Sequence, residues 1–321
     1  MATWPLLRMT GVLYLLAAGF VLYWAAIVFY IARTLTHPPR RTYARAIARG
    51  EPGDPSELSE PLPFQRWTLP WRAGDLPVWD IACPQDGPVV IFTHGWASSR
   101  LGALRRIGHI ADCAGRIIAW DMPGHGEAPG RCAIGIREPG ALVALVRELR
   151  RQGEQRPIVL QGSSLGAGVA IAAGAQLGAD VALVIAEAPY RTPPVAVRGV
   201  LRERGVAPLG RARPAVALAG LLTSGDPLLR GFDRAGLAAR LTCPLLVIHG
   251  TGDEISPIAD GEAIARAARQ GSLIAIEGAG HRDLWSDEHR SMTVRAIREA
   301  LASIQSADDD ERLVEHGQSA G

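Results

Sequence analysis

The sequence contains no lysine, so all 34 of its basic residues are arginines. It also has few cysteines, only Cys83, Cys113, Cys132 and Cys243, and none of them forms a CxxC pair or follows a zinc-ligand spacing. Four scattered cysteines in 321 residues exclude a disulfide framework and a structural zinc site. We expect them to be buried free thiols, the usual state of isolated cysteines in a folded domain.

Acidic residues are absent from residues 1–50, a segment that holds six arginines: Arg8, Arg33, Arg40, Arg41, Arg45 and Arg49. The rest of the chain has 28 arginines against 32 acidic residues, so the basic excess lies entirely around the N-terminus. A nucleic-acid-binding domain would need a basic patch or stripe on its folded surface. The charge distribution therefore excludes nucleic acid as a partner.

Charge is also absent from Met9 to Ala32, which reads MTGVLYLLAAGFVLYWAAIVFYIA. A helix of this length spans roughly 36 Å, enough for a hydrocarbon core of about 30 Å. We expect one transmembrane helix over about 9–32. A cleaved signal peptide, which has a shorter apolar region and a small-residue cleavage site, is one alternative. A buried core helix is the other.

The arginines that flank this segment predict its orientation. Arg8 precedes the segment, whereas five arginines follow it within 17 residues. Because positive charge is retained on the cytoplasmic side, we expect a single-pass membrane protein whose C-terminal domain is cytoplasmic.

Two segments that flank the folded region have few apolar side chains to bury. Residues 51–63, EPGDPSELSEPLP, are rich in proline and acidic residues and predict an extended stalk that follows a basic juxtamembrane segment ending at residue 50. Residues 306–321 predict a disordered tail. The folded domain is expected to occupy residues 64–305.

Within that domain, short apolar runs alternate with helical patterns, which is typical of an α/β fold with a mostly parallel central sheet flanked by helices. Nearly continuous apolar runs indicate strands that are buried on both faces. Two earlier runs, 66–70 and 77–83, predict an antiparallel edge, and residues 190–240 predict a small helical cap over the carboxyl ends of the strands. The six buried strands are expected at 88–95, 116–121, 157–163, 181–188, 244–250 and 272–278, and the helices at 100–112, 138–151, 165–178, 258–270 and 288–304.

A G-x-S-x-G pentapeptide runs from Gly162 to Gly166, with Ser164 at its centre. It follows an apolar strand and opens a helix rich in small residues, which is the context of a nucleophile elbow. The turn is sharp, so the positions beside the serine must be small. The pattern predicts Ser164 as a nucleophile, whereas Ser163 is not at the nucleophile position.

A serine hydroxyl needs a general base, and a carboxylate must orient that base. Of the eight histidines, His281 lies on a loop after a strand at the carboxyl edge of the sheet, which favours it as the base. Asp253 follows the strand PLLVIHG and is predicted as the acid. Glu254 and Glu187 are competing candidates. The order Ser164, Asp253, His281 is the order that this kind of site follows.

The remaining histidines are assigned no part in the chemistry. His125 lies in DMPGHG and is expected to shape a loop, and the others lie beside the anchor, at strand ends, on helices or in the tail. An oxyanion hole needs two backbone N–H groups. We expect them to come from Leu165, after the nucleophile, and from Trp96, in the loop after PVVIFTHG. The Trp96 indole is also expected to pack under the cap.

Five segments together resemble the successive motifs of α/β-hydrolase serine hydrolases: HGWASS, DMPGHG, GSSLGAG, HGTGDEISP and GAGHRDLW. The resemblance covers residues 64–304 and is nearest to serine-aminopeptidase-like and monoacylglycerol-lipase-like hydrolases. Membrane-anchored α/β-hydrolase-domain proteins, some of them depalmitoylating thioesterases, are similar too. It implies an α/β-hydrolase fold and acyl transfer without a metal ion or an organic cofactor. One departure is Ala167, where many relatives have a second glycine.

These observations predict a membrane-anchored serine hydrolase that cleaves acyl esters or thioesters of lipids or acylated proteins. An amidase or peptidase would use the same residues and remains an alternative. A tethered binding protein that keeps the fold without turnover is another. Its signature would be an incomplete set of catalytic residues, whereas this set is complete. Aspartate-dependent haloalkane or epoxide hydrolysis is excluded, since Ser164 occupies the nucleophile position.

Overall fold

A computed structural model describes the backbone of residues 4–205, 210–229 and 232–318, and the side chains of those residues between 11 and 305. Eight strands form one sheet. The strands are β1 Phe64–Leu69, β2 Leu76–Ala82, β3 Val89–Thr93, β4 Arg116–Trp120, β5 Ile158–Ser163, β6 Leu183–Glu187, β7 Leu245–Gly250 and β8 Gly271–Ile276. The helices are α1 Trp4–Thr36, α2 Tyr43–Ile47, α3 Leu104–Ile110, α4 Glu138–Arg151, α5 Leu165–Leu177, α6 Pro193–Glu203, α7 Ala212–Ser224, α8 Arg234–Ala238, α9 Ile258–Ala267 and α10 Arg290–Gln318.

The sheet has the strand order β1-β2-β4-β3-β5-β6-β7-β8. β1 pairs with β2 and β2 with β4 in antiparallel fashion, whereas every pairing from β4 to β8 is parallel. The predicted fold class, with its parallel core and antiparallel edge, is confirmed. The reason is visible in burial, since every residue of β3, β6 and β7 is buried and both faces of the sheet are covered by helices.

The helices divide into two layers. Side chains of α4, α5, α8 and α9 belong to the core on one face of the sheet, and side chains of α3 and α10 belong to the core on the other. Because strands β3 to β8 are parallel, they all end at the same edge of the sheet. The loops that follow β3, β5, β7 and β8 lie close together at that edge.

The cap is smaller than the sequence predicts. Helices α6 and α7 lie in the predicted range 190–240, but α8 does not belong with them. Arg234, Ala235 and Ala238 are buried, and α8 packs on α5 and α9 in the helical layer beside the sheet. The short apolar pattern of α8 does not indicate whether the helix lies in the cap or beside the sheet, because a helix in either place buries one face.

Helix α1 has two environments. Residues 11–23 are all exposed and include large apolar side chains such as Leu15, Phe20 and Leu22. Beyond Trp24 the helix packs on the domain, and Val28, Ile31 and Ala32 are buried in the same core as the sheet. Within the described residues, Gly11–Thr36 is the one helix long and apolar enough to cross a membrane. Its exposed half distinguishes it from a core helix.

The segment predicted as an extended stalk is instead folded onto the domain. Gly53, Asp54 and Pro55 are buried, and residues 55–57 form a 3₁₀ turn. The Asp54 carboxylate accepts hydrogen bonds from the Ser56 backbone N–H at 3.0 Å and from Arg66 at 2.6 Å. The composition alone suggested a spacer, because it gave no sign of which arginines would pair with the acidic residues.

The preceding basic segment is also engaged by the domain. The Arg40 guanidinium donates to the carbonyl oxygens of Gly126 and Ala128, at 3.1 and 2.7 Å. Arg41 pairs with Glu51. Arg45 donates to the Arg40 carbonyl oxygen at 2.9 Å, while Arg33 and Arg49 are exposed.

The C-terminal segment also differs from its prediction. Helix α10 continues to Gln318, through residues 306–318 that the sequence predicts as disordered. Extending an existing helix needs no new nucleation step, so a polar segment with little to bury can continue it.

The packing of residues 51–63 on the domain gives a testable expectation. Asp54→Ala removes the cap of the 3₁₀ turn and the partner of Arg66, at a cost of about 1–3 kcal/mol. Limited proteolysis of the full-length protein should then cleave residues 51–63 faster in the variant than in the wild type. Glu60→Ala is the matched control, since Glu60 is exposed and has no ion pair among the described residues. Rapid cleavage of this segment in the wild type would mean that it is a flexible stalk after all.

Candidate active site

The turn between β5 and α5 holds Ser164 in an unusual backbone conformation. Its φ is +53° and its ψ is −110°, a region that L-residues rarely adopt. The turn depends on glycine at both flanking positions. A Cβ at Gly162 would lie 2.2 Å from the Gly166 carbonyl oxygen, and a Cβ at Gly166 would lie 2.1 Å from the Thr93 carbonyl oxygen. The predicted elbow is therefore formed, with Ser164 at the carboxyl edge of the sheet.

The structure brings the three predicted residues together in one chain of hydrogen bonds. The His281 Nε2 atom lies 2.9 Å from the Ser164 hydroxyl oxygen. On the other side of the ring, His281 Nδ1 lies 2.7 Å from the Asp253 Oδ2 atom. The three residues come from the loops after β5, β7 and β8, as the sequence analysis expected.

Asp253 is buried and surrounded by donors. Its Oδ1 atom accepts backbone hydrogen bonds from Ile255 at 2.9 Å and Ser256 at 2.7 Å. Burial alone would raise the pKa of Asp253, but hydrogen bonds from His249 and His281 hold it below its ordinary value. An ionised carboxylate can only accept, so His281 Nδ1 carries a proton. In the neutral ring Nε2 is then free to accept the Ser164 proton.

Two backbone N–H groups belong to segments that lie directly beside Ser164. Leu165 is the first residue of α5, and its N–H points out of the positive end of that helix. The loop that carries Trp96 lies against the nucleophile, since a Cβ at Gly95 would be 3.6 Å from the Ser164 Cβ. Neither the Trp96 nor the Leu165 N–H donates a hydrogen bond to any other described residue.

This geometry agrees with comparisons to known proteins. The sequence profile of the alpha/beta hydrolase family matches residues 90–296. The chain belongs to the alpha/beta hydrolase family.

Its relatives are esterases and lipases. A monoacylglycerol lipase from Mycolicibacterium smegmatis is 24% identical over 262 residues, which is 70% of this chain and 92% of that protein. An esterase from Pyrococcus furiosus has a TM-score of 0.63 at 19% identity, covering 83% of this chain and 96% of the esterase. A monoacylglycerol lipase from Paleococcus ferrophilus has a TM-score of 0.55 at 22% identity, covering 71% of this chain and 99% of that chain.

Ala167 departs from the family pattern without disturbing the elbow of this alpha/beta hydrolase. Its side chain is fully buried in the core cluster that α5 shares with the sheet. The methyl group therefore packs into the interior of the domain. The two glycines that the turn requires, Gly162 and Gly166, are both present.

The competing acids have other partners in this hydrolase. Glu187 is buried and forms an ion pair with Arg106, while its carboxylate accepts from Gln161 at 2.6 Å and from the Trp285 indole at 2.9 Å. Glu254 is exposed on the surface. Neither carboxylate contacts His281.

Sequence reasoning gave no role to His249, and the structure places it behind Asp253. The buried His249 Nε2 atom lies 2.7 Å from the Ser256 carbonyl oxygen and 3.2 Å from Asp253 Oδ2. It therefore helps to fix the loop that carries the acid. The only signal in the sequence was its place at the end of an apolar strand, four residues before Asp253.

Two other buried histidines form hydrogen bonds with the backbone of loops in the hydrolase. His94 Nε2 accepts the Met122 backbone N–H at 3.0 Å, and its ring lies edge-on to His125 at 5.0 Å. Burial holds the pKa of His94 well below its ordinary value and lowers that of His125 to about 4. Both rings are neutral near pH 7, which agrees with the loop-shaping role expected for His125.

A cavity of about 570 Å³ opens over Ser164 and His281. Its walls are mainly apolar and come from three parts of the chain. The sheet domain contributes Trp96 and Leu165, the cap contributes Val197 and Leu201, and the end of α1 contributes Leu35. A volume of this size is typical of a site for a small molecule or an acyl chain.

Substitution of Glu187 tests whether its carboxylate has a structural role, unlike the carboxylate beside His281. Glu187→Gln leaves the Arg106 charge without its partner in a largely buried place, and we expect it to lower the free energy of unfolding by about 3 kcal/mol or more. Glu254→Gln, at an exposed position, should change it by less than about 0.5 kcal/mol. Thermal or denaturant unfolding in detergent measures both. A stable Glu187→Gln variant that lacked activity would instead point to Glu187 as the acid.

Proposed function

We propose that the chain is a membrane-anchored serine hydrolase that cleaves acyl esters or thioesters, with Ser164, His281 and Asp253 as its catalytic triad. The observation that carries the proposal is the continuous hydrogen-bond chain from the Ser164 hydroxyl through His281 to Asp253. The segments beside Ser164 also carry the backbone N–H groups of Trp96 and Leu165, which donate to no other described residue.

The geometry supports the following steps. Ser164 attacks the acyl carbonyl carbon while His281 Nε2 takes its proton, and the oxyanion accepts hydrogen bonds from Trp96 and Leu165. The tetrahedral intermediate collapses to an acyl-enzyme as His281 protonates the leaving alcohol or thiol. A water molecule, deprotonated by His281, then attacks the acyl-enzyme and releases the acid with Ser164 restored.

An acyl substrate suits the walls of the cavity. Ile134, Leu165, Val197 and Leu201 present an apolar surface to the space above Ser164. A peptide substrate would need polar partners for its backbone, whereas an acyl chain needs only apolar contact. The similar proteins described as esterases and monoacylglycerol lipases favour the same choice.

The nucleophile is tested directly by substitution. Ser164→Ala should lower kcat on an activated ester by about 10⁶-fold, and Asp253→Asn by about 10⁴-fold, as in serine proteases with the same arrangement. Ser163→Ala is the matched control, because Ser163 is the adjacent serine and makes no contact with His281. Steady-state kinetics on ester, thioester and amide substrates would give the preferred leaving group.

A fluorophosphonate probe gives a second readout of the same proposal. It should label the wild-type protein on the peptide that contains Ser164 and leave the Ser164→Ala variant unlabelled. A wild-type protein that is neither labelled nor active would be a binding protein with this fold. Preferential turnover of amides would make it an amidase or peptidase.

Helix α1 supports the membrane anchor. Thirteen consecutive exposed residues, 11–23, place large apolar side chains on all sides of the helix. Exposed to water, that surface would be unfavourable by roughly 25 cal/mol for each Å². A hydrocarbon environment removes this cost. The five arginines that follow the helix favour a catalytic domain on the cytoplasmic side.

The proposed topology predicts the behaviour of fusion proteins. A reporter placed after Gly321 should behave as cytoplasmic, and one placed before Met1 should lie on the opposite side of the membrane. Mass spectrometry of the purified protein should find residues 1–36 still attached. Glycosylation of the C-terminal reporter would reverse the proposed orientation, and loss of the N-terminal helix would identify a signal peptide.

A further inference from the structure

The end of the membrane helix is part of the cavity over Ser164. Five residues of α1 line that cavity: Ile27, Tyr30, Ile31, Thr34 and Leu35. At 3.6 residues per turn, positions 27, 30, 31 and 34 lie on one face of the helix. An anchor that only held the enzyme near the bilayer would have no reason to enter its active site.

The domain fixes this part of α1 by hydrogen bonds as well as by packing. The last carbonyl groups of a helix have no partners within it. Here the Trp96 indole donates to the Leu35 carbonyl oxygen at 3.1 Å, and the Cys132 backbone N–H donates to that of Thr36 at 3.0 Å. Trp96 therefore joins α1 to the loop that lies against Ser164.

The cap also packs against α1. Helix α7 packs on α1 with a buried face of small residues, Ala212, Ala215 and Ala219, which allow two helices to approach closely. Arg211, at the start of α7, lines a crevice with Phe20, Val21 and Trp24 of α1. The cap therefore begins beside the exposed part of the helix, at the level where α1 would lie in lipid.

The outer surface of the cap continues this apolar character. Leu221 and Leu222 of α7 are 52% and 48% exposed, and Leu228 in the following turn is 71% exposed. The exposed half of α1 and the outer surface of α7 are therefore both apolar. The cavity lining is also mainly apolar, although it includes arginines such as Arg41, Arg105 and Arg204.

We propose that α1 is a wall of the acyl-binding site as well as an anchor. On this proposal, which rests on the proposed function, the substrate is an ester resident in the membrane. It enters from the bilayer along the face of α1 that carries Tyr30, a residue that lines the cavity and is 70% exposed. Its acyl chain lies against Ile27, Tyr30 and Ile31 while its carbonyl carbon reaches Ser164.

The test compares paired variants of full-length protein in detergent. Ile27→Trp should fill the space for the chain, whereas Leu22→Trp puts the same side chain on an exposed position that does not line the cavity. The measured quantity is the kcat/KM ratio of p-nitrophenyl palmitate to p-nitrophenyl butyrate. Ile27→Trp should lower this ratio by about tenfold, a typical effect of a small change in a hydrophobic pocket. Leu22→Trp should leave it unchanged.

A second pair covers the case in which Ile27→Trp fails to fold. Tyr30→Ala should also lower the ratio, because it removes a contact with the distal part of the chain. Its control is Phe29→Ala, the adjacent exposed aromatic residue that does not line the cavity. An equal effect on both esters, or the same effect in a cavity variant and its control, would overturn the assignment of α1 as a wall.

Covalent labelling separates failure of this inference from failure of the proposed function. Labelling rates with a dodecyl and an ethyl fluorophosphonate depend on Ser164 but not on turnover. If the wild type is labelled and Ile27→Trp and Tyr30→Ala leave the ratio of the two rates unchanged, only the inference is wrong. If Ser164 is not labelled by either probe, the proposed function is wrong and the inference falls with it.

Discussion

The close approach of the α5 N-terminus to the end of β3 is the constraint on which the rest of the site depends. Gly166 lies so near the carbonyl oxygens of Thr93 and His94 that no side chain could stand in its place. This contact fixes the turn that holds Ser164 at positive φ. It also brings the loop of Gly95 and Trp96 against Ser164.

The positions of Asp253 and His281 depend on a second set of contacts at the same edge of the sheet. Asp253 keeps its charge in a buried place because backbone N–H groups and two histidines donate to it. That charge orients His281 toward Ser164. The Glu187 and Arg106 pair satisfies a second buried carboxylate nearby, so two acids lie close to the site but only one faces the imidazole.

Helix α1 and the hydrolase domain pack together as one structure. The carbonyl groups at the end of α1 are satisfied by the domain, and the following segment is held by Arg40, Arg41 and Asp54. Such a connection leaves little freedom for the active site to move relative to α1. If α1 spans a bilayer, as we propose, this connection favours substrates that reach the enzyme from the membrane.

The sequence by itself determined the fold class and the apolar helix, and it predicted the three residues that the structure brings into one hydrogen-bond chain. Each of these depends on a local pattern: continuous apolar runs for strands, 24 uncharged residues for α1, and G-x-S-x-G between a strand and a helix for Ser164. Asp253 and His281 followed because loops after parallel strands meet at one edge. Only the tertiary structure decided that His249 supports Asp253, that residues 51–63 pack on the domain, and that Ile27 and Tyr30 line the cavity. These contacts join residues far apart in the chain, and their free energy depends on distances and burial that no local pattern of residues encodes.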